Sequence, residues 1–396
     1  MPAASEPTVH DAPARSCTPM SAYDYGLPES AIAQEPIEPR SAARLLIGPG
    51  LTDAVDPTRG QQRVPAVGHA TVDDLPGLLR PGDVVVVNDT RVLTARLDLA
   101  KVSGGRAEVL LLEPLGPPDT DGTSEWAALV RPGRRLAPGT LLVEGGTGAS
   151  GPAGGPVVEV GEPLDRDTDG PGTRRIRLLD PTVVTRVGSM PLPPYIRRAL
   201  GDPDRYQTVY SADSELTDRS AAAPTAGLHF TADLLAACEA AGARLARVDL
   251  IIGLDTFRPV TAATAEEHTI HTERYTVPAS TVAACAGARR VIAVGTTAVR
   301  ALESAAATGV LSGRTDLYIH GDFAFRVVDV LVTNFHLPRS SLLLLVEAFC
   351  GPQWRDLYAT ALAEGYRFLS FGDAMVVARA GVKAAPVWRV PAGSGW

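Results

Sequence analysis

Four apolar runs of strand length each stop abruptly in a cluster of polar residues with an arginine close behind. Val84-Val85-Val86-Val87 precedes Asn88-Asp89-Thr90-Arg91, and residues 248–252 precede Asp255-Thr256-Phe257-Arg258. Residues 291–294 precede Thr296-Thr297 and Arg300, and residues 328–332 precede Thr333-Asn334-Phe335-His336 with Arg339. Runs rich in Val and Ile without alternation are strands buried on both faces, the habit of a parallel sheet covered by helices. In such sheets ligands bind in the crevice outside the carboxyl ends of the strands. The chain has two asparagines, Asn88 and Asn334, and both fall at these ends. An ordinary polar turn accounts for any one such ending. Four in parallel point to one polar site built by several strands.

At 396 residues the chain is long enough for two to three domains. Apolar residues at 45% and charged residues at 21% are the balance of a soluble globular enzyme. No stretch approaches the roughly 20 apolar residues of a membrane span, so no membrane role is expected. Residues 1–22 mix Pro, Ala and Ser without an apolar core and read as a disordered leader. The four cysteines show no CxxC spacing, which argues against a disulfide framework and a cysteine metal site and favours a reducing cytoplasm.

A net charge of −8 disfavours nucleic acid at first sight, yet phosphate contacts are made by a few clustered cations. Arg131, Arg134 and Arg135 form one cluster, Arg174, Arg175 and Arg177 a second, Arg197 and Arg198 a third. Such clusters are more often solvated surface than binding sites. Lys101 and Lys383 are the only lysines, so an arginine-rich coding bias has to be discounted before any arginine is called functional.

The texture of the chain changes twice. Residues 23–90 hold a helical phrase at 71–79, a Pro81-Gly82-Asp83 turn and the first buried strand. Residues 91–187 carry short alternating stretches at 106–112, 126–130, 140–143, 157–160 and 174–178 between Gly/Pro turns. Regularly spaced short strands predict a small antiparallel barrel or sandwich. From 188 to 378 strands again alternate with helical stretches, at 232–241, 281–288, 299–308 and 354–364. The expected fold is therefore a three-layer α/β domain with a mostly parallel sheet, interrupted by an inserted small antiparallel β-barrel domain. Residues 379–396 read as a loose C-terminal tail.

Ordered along this framework are Asp24-Tyr25, Leu27-Pro28, Pro39-Arg40, Asn88-Asp89-Thr90-Arg91-Val92, Met190-Pro191-Leu192-Pro193-Pro194-Tyr195, and Arg205-Tyr206-Gln207-Thr208-Val209-Tyr210. Further on come Ala223-Pro224-Thr225-Ala226-Gly227-Leu228-His229-Phe230, Thr256-Phe257-Arg258-Pro259-Val260, Glu267-His268 with His271, Val294-Gly295-Thr296-Thr297, Thr333-Asn334-Phe335-His336-Leu337-Pro338 and Gly372-Asp373-Ala374-Met375. Together these blocks resemble the S-adenosylmethionine:tRNA ribosyltransferase-isomerase family of queuosine biosynthesis, from about residue 24 to 377. The resemblance implies an α/β domain with an inserted β-barrel. It also implies that S-adenosylmethionine, as co-substrate and with no prosthetic group, donates its ribosyl group to an aminomethyl-deazaguanine in the anticodon loop of tRNA. The ribose becomes an epoxycyclopentanediol, and adenine and methionine leave.

That reaction needs a base for the proton beside the sulfonium, an acid for the departing adenine, a neutral amine and a cation for the methionine carboxylate. His229, in a loop entering a helix, is the first candidate for acid–base work, and His336, two residues after Asn334, is the second. A lone histidine more often packs or caps than catalyses. Glu267, His268 and His271 form a compact polar group, with the two histidines spaced to share a helix face. No third ligand is marked there, so no metal is expected. Arg91, Arg258 and Arg300 are candidate anchors for carboxylate or phosphate. Asp89 and Asp373 could accept hydrogen bonds from ribose hydroxyls. Gly295-Thr296-Thr297 offers backbone N–H groups at a helix start, suited to an anion or to ordinary capping. Asn88, Tyr210, Thr225, Asp255, Thr256 and Asn334 complete the candidate substrate contacts.

The chain departs from the family pattern at four places. Ile251 stands where the family usually has histidine, Asp255 where it has glycine, Thr94 where it has proline, and His320-Gly321-Asp322-Phe323 replaces a usual Tyr-Pro-Gly-Tyr stretch. Two main functional readings follow, the tRNA-modifying enzyme and a relative that uses S-adenosylmethionine on a small-molecule acceptor; a non-catalytic RNA-binding relative is a minor third.

Overall fold

A computed structural model describes residues 18–51, 67–145, 154–164, 172–213, 220–253, 259–385 and 387. Strand β3 (Val84–Asn88) sits inside a nine-stranded sheet, and every residue of it is buried. Its alternate side chains enter different cores. Val84 and Val86 pack into a cluster with Val299, Leu302, Leu343 and Trp354, whereas Val85 and Val87 pack with Val72, Leu75, Leu234 and Cys238. The run of four valines is unpatterned because both faces of the sheet are covered; each buried valine contributes about 1.5–3 kcal/mol.

To one side of β3 lies β11 (Arg244–Leu250), and to the other lie β13 (Val291–Val294) and β15 (Val330–Asn334), in order and all parallel. Beyond β11 the sheet continues through the antiparallel strands β12 (Glu273–Thr276) and β14 (Ser312–Thr315). Beyond β15 it runs through β16 (Ala374–Ala378), β1 (Arg44–Ile47) and β2 (Gly68–Thr71). Of these last pairings only β1 with β16 is parallel. The sheet is thus mixed. A mostly parallel arrangement holds for the four central strands, the ones whose sequences carry the apolar runs; shorter, more polar strands flank them.

Helices α2 (Ala232–Ala240), α3 (Ala279–Ala286), α4 (Thr296–Thr308) and α6 (Trp354–Ala363) lie where strand and helix alternate in the sequence. Helix α5 (Ser341–Cys350) was not expected, because its Leu342-Leu343-Leu344-Leu345-Val346 core shows no helical period. Ser340 caps it by accepting from the Leu343 N–H at 3.3 Å. The phrase at 71–79 is a 3-10 helix, Val72–Leu78, with a capping box between Thr71 and Asp74.

The inserted segment forms a closed antiparallel barrel of six strands: β4 (Arg96–Lys101), β5 (Arg106–Pro114), β6 (Ser124–Arg131), β9 (Thr173–Leu178), β8 (Val158–Pro163) and β7 (Thr140–Glu144), which returns to β4. Trp126, Leu97, Val109 and Ile176 fill it. Helix α1 (Val183–Val187) follows, and the two-residue strand β10 (Gly188–Ser189) pairs back onto β4. A bidentate pair from Arg314 to Glu113, at 2.9 and 3.1 Å, ties the barrel to the edge strand β14.

The described parts of the two terminal segments pack against the fold. Met20, within the expected leader, is fully buried, and its N–H donates to the Ala263 carbonyl at 2.9 Å. In the expected tail, Lys383 reaches Asp329 at 2.6 Å, and Ala384 and Val387 bond the carbonyls of Phe325 and Ala306. Residues 1–17 and 388–396 lie outside the described residues. No described helix is long and apolar enough to cross a membrane.

Candidate active site

The two strand-end asparagines do different work. Asn88, at the end of β3, accepts from the Leu250 N–H and donates to the Leu250 carbonyl, both at 3.0 Å. Its amide thereby extends the ladder to β11 and its hydrogen-bonding capacity goes into the fold. Asn334, at the end of β15, turns its amide toward a neighbouring turn. Its Nδ2 lies 3.0 Å from His229 Nε2, 3.2 Å from the Leu369 carbonyl and 3.4 Å from the Asp373 carbonyl. Its Oδ1 accepts from Thr225 Oγ1 at 3.3 Å.

Two carbonyls facing the same amide atom require that atom to be the nitrogen. Asn334 therefore donates toward Nε2, which leaves His229 neutral with its proton on Nδ1. Burial is the largest cause of a His229 pKa pushed down to about 4; Arg367 and Arg40 depress it further and Asp373 opposes them. The imidazole sits at the end of a 3-10 turn, Thr225–His229, directly before α2. Gly227 is required within that turn: a Cβ there would lie 1.9 Å from Tyr210 Oη. Tyr210 thus packs against the turn, and its buried hydroxyl has no hydrogen-bond partner among the described residues.

His336 lies close by, its Nε2 2.9 Å from Thr333 Oγ1. Its N–H donates to Tyr358 Oη at 2.9 Å, and its carbonyl accepts from Tyr25 Oη. Burial lowers its pKa to about 3. Thr225, Asn334 and His336 line two small adjoining cavities, one of which is also walled by Thr296 and Thr297 at the start of α4. Gly295, at φ 88°, makes the turn from β13 into that helix. Thr297 Oγ1 is buried without a partner among the described residues.

Leu342 walls both small cavities and also a third of about 380 Å³. The larger cavity is lined by His268, His271, Glu273, Arg300, Tyr318 and Ser341 among others. His268 and His271 share it, but from an irregular segment and not from a helix face. His268 meets Tyr318 edge to face, and Tyr318 in turn packs on His320. Glu267 accepts from the Thr264 N–H at 3.4 Å. Glu273 was not singled out in the sequence; only its pairing with Arg300 marks it.

Other candidates are occupied elsewhere. Asp89 faces Arg247 at 3.5 Å, and burial raises its pKa more than that arginine lowers it. The Asp373 carboxylate accepts from the backbone N–H groups of Arg44 and Arg367 at 3.0 and 2.7 Å. Arg91 is half-buried and forms no ion pair among the described residues. Asp255, Thr256 and Arg258 lie outside the described residues, in the segment joining Gly253 and Pro259, both on the wall of the large cavity. No group of three or more metal-ligating side chains occurs among the described residues.

Comparison with known proteins decides the family. The profile of a family described as queuosine biosynthesis protein matches residues 20–377. The chain belongs to this queuosine biosynthesis family. An S-adenosylmethionine:tRNA ribosyltransferase-isomerase of Rubrobacter xylanophilus is 46% identical over 357 residues, covering 89% of this chain and 96% of its own. Enzymes of the same name from Gloeobacter violaceus and Synechococcus elongatus are each 45% identical, covering 90% of this chain and 94% and 95% of their own. Among solved structures, an S-adenosylmethionine tRNA ribosyltransferase from Thermotoga maritima is 33% identical, covering 90% of this chain and 99% of its own, with a TM-score of 0.46. Membership in this family places the neutral His229–Asn334 pair in a chain whose named relatives act on S-adenosylmethionine and tRNA.

Proposed function

We propose that this chain is an S-adenosylmethionine:tRNA ribosyltransferase-isomerase acting in the cytoplasm. It moves the ribosyl group of S-adenosylmethionine onto 7-aminomethyl-7-deazaguanine in a tRNA anticodon loop and isomerises it to epoxyqueuosine, releasing adenine and methionine. The α/β part, 23–90 and 188–378, carries the chemistry, and 91–187 is an inserted barrel domain. S-adenosylmethionine is a co-substrate, so the reaction calls for no prosthetic group.

The observation that carries this reading is the neutral imidazole of His229, held by Asn334 at the carboxyl end of β15. His229 takes the proton beside the sulfonium through Nε2, which exchanges its bond to the Asn334 amide for that proton, and returns it to the departing adenine. His336 and Thr333 position the neighbouring wall, and Thr225, Thr296 and Thr297 contact the nucleoside. His268, His271 and Glu267 face or border the larger cavity. Asn88, Asp89, Tyr210 and Asp373 support this arrangement, with Arg91, Asp255, Thr256 and Arg258 as further substrate contacts.

The small-molecule reading rested on local substitutions. Ile251 is buried, its N–H donating to the Arg274 carbonyl at 2.9 Å, so it works as a packing residue. Relatives 45–46% identical along nearly their whole length weigh toward tRNA. Incubation with S-adenosylmethionine and tRNA carrying the aminomethyl-deazaguanine tests the proposal: adenine, methionine and a mass gain on the base are expected. Adenine release that depends on a small amine but not on tRNA would favour the alternative.

A further inference from the structure

Arg300 is the one functional cation on the large cavity whose bonding is incomplete among the described residues. It is 5% exposed and lines the 380 Å³ space. Nε donates to the Leu317 carbonyl at 3.1 Å and Nη1 to Glu273, whereas Nη2 has no partner. A buried donor left unpaired is costly, the more so when charged, and proteins rarely keep one without a use. Glu273 is equally enclosed, and its Oε1 also accepts from the Gly253 N–H at 3.1 Å.

We infer that Arg300 and Glu273 form the seat for the α-amino-acid head of S-adenosylmethionine, with Arg300 Nη2 taking the carboxylate. This rests on the proposed reaction and names one end of its substrate. The pair is already neutral, which suits a group that is itself a zwitterion: carboxylate toward Nη2, ammonium toward Glu273. A phosphate would meet the Glu273 carboxylate at once and is disfavoured. Apolar Leu317, Ile319 and Leu345 on the same wall suit the two methylenes between the amino-acid head and the sulfonium. The volume falls at the lower end of the roughly 300–1,000 Å³ range of small-molecule sites. Through Leu342 the cavity adjoins the one walled by Thr225, Asn334 and His336, so the sulfonium end can reach toward His229.

The test is calorimetric titration of the full chain with S-adenosylmethionine and with its decarboxylated analogue, in which hydrogen replaces the carboxylate. Wild type binds the analogue about 10- to 100-fold more weakly, the loss expected when one charged hydrogen bond is removed. The double variant Arg300→Gln/Glu273→Gln removes both charges together, avoiding a lone buried ion, and binds the two ligands about equally. If that variant fails to fold, Arg300→Lys is measured instead: it keeps a charge beside Glu273 without the second nitrogen, and shows a reduced preference. Equal affinity of wild type for the two ligands, or an undiminished preference in the folded variant, overturns the assignment. Wild type that binds S-adenosylmethionine and releases adenine without discriminating overturns the carboxylate seat alone. Wild type that binds neither ligand overturns the reaction on which it rests.

Discussion

Asn334 Nδ2 stands 3.0 Å from His229 Nε2 while two backbone carbonyls hold the same amide from behind. The amide can face only one way, so it fixes the histidine's tautomer as well as its place. Asn334→Asp would put a carboxylate against the Leu369 and Asp373 carbonyls and against Nε2. The expected outcome is a loss of about 1–3 kcal/mol in stability and a His229 pKa raised well above 4. Histidine resonances followed by NMR through a pH titration report the shift; an unmoved His229 would mean that the amide does not control its charge.

His229→Ala should lower turnover by about two to four orders of magnitude while the folded state survives, the usual contribution of a positioned acid or base. Its pH signature is specific. The substrate amine must be neutral, so log kcat/KM rises with slope one below the amine pKa. A second break, to slope two, should appear near pH 4, where His229 gains its proton. A second break near pH 6.5 would show that a histidine of ordinary basicity, and not this one, is the base.

Much of this site was legible in the sequence, and the failures have physical causes. The strand-end pattern located Thr297, Asn334 and His336 on one wall because unpatterned Val/Ile runs are a strong signal of a doubly covered sheet. The same pattern could not separate Asn88 from Asn334, since whether an end-of-strand amide bonds the next strand or a neighbouring turn depends on groups brought in from 250, or from 229, 369 and 373. Helix α5 escaped because five consecutive apolar residues carry no period. The outer strands β12 and β14 escaped because they are four residues each and mostly polar. Glu273 was invisible for a related reason: its partner Arg300 lies 27 positions away, on a different element.

Gly227 and Tyr210 make a linked prediction. Gly227→Ala places a methyl 1.9 Å from Tyr210 Oη, so the 225–229 turn must move, at a cost of about 1–3 kcal/mol. Turnover should fall along with stability, because His229 ends that turn. Tyr210→Phe removes a buried hydroxyl that has no partner, and should leave stability unchanged or slightly raised. If Tyr210→Phe instead weakens S-adenosylmethionine or tRNA binding at unchanged stability, the hydroxyl belongs to the substrate site.

His336 should shape the acid stability of the fold. Its ordinary pKa of 6.5 applies to the unfolded chain, and burial lowers it to about 3 in the folded one. Between these values the unfolded state binds more protons, so stability is fully present above pH 6.5 and declines as pH falls toward 3. At about 1.4 kcal/mol per unit the total is a few kcal/mol. In urea titrations across this range, the difference between wild type and His336→Gln should grow steadily in the variant's favour as pH drops. A difference that stays flat would mean that His336 is already solvated or protonated in the fold.

The arginine clusters are less free than their spacing suggests, which sharpens what tRNA binding can use. Arg131 lies 3.9 Å from Glu108, Arg175 pairs with Glu125 at 2.5 Å, and Arg177 lies 3.4 Å from Asp121. Arg197 and Arg198 face Glu29 and Glu35 at 3.3 and 2.7 Å, but all four of these side chains are at least 64% exposed. Exposed pairs of this kind hold by at most about 1 kcal/mol, so a phosphate can take the arginines over. The two arginines stand two and three positions after Tyr195, which lines the cavity shared with Asn334 and His336 and bonds Ser370 at 2.8 Å. An anticodon loop delivering its wobble base to that cavity would lay its backbone there. Arg197→Ala/Arg198→Ala should therefore weaken tRNA binding and reduce the slope of log K against log salt by roughly one to two, while S-adenosylmethionine affinity stays the same. Glu29→Gln/Glu35→Gln, which frees the same arginines, should tighten tRNA binding at low salt. If neither pair of substitutions alters the salt slope, the RNA backbone does not run past Tyr195.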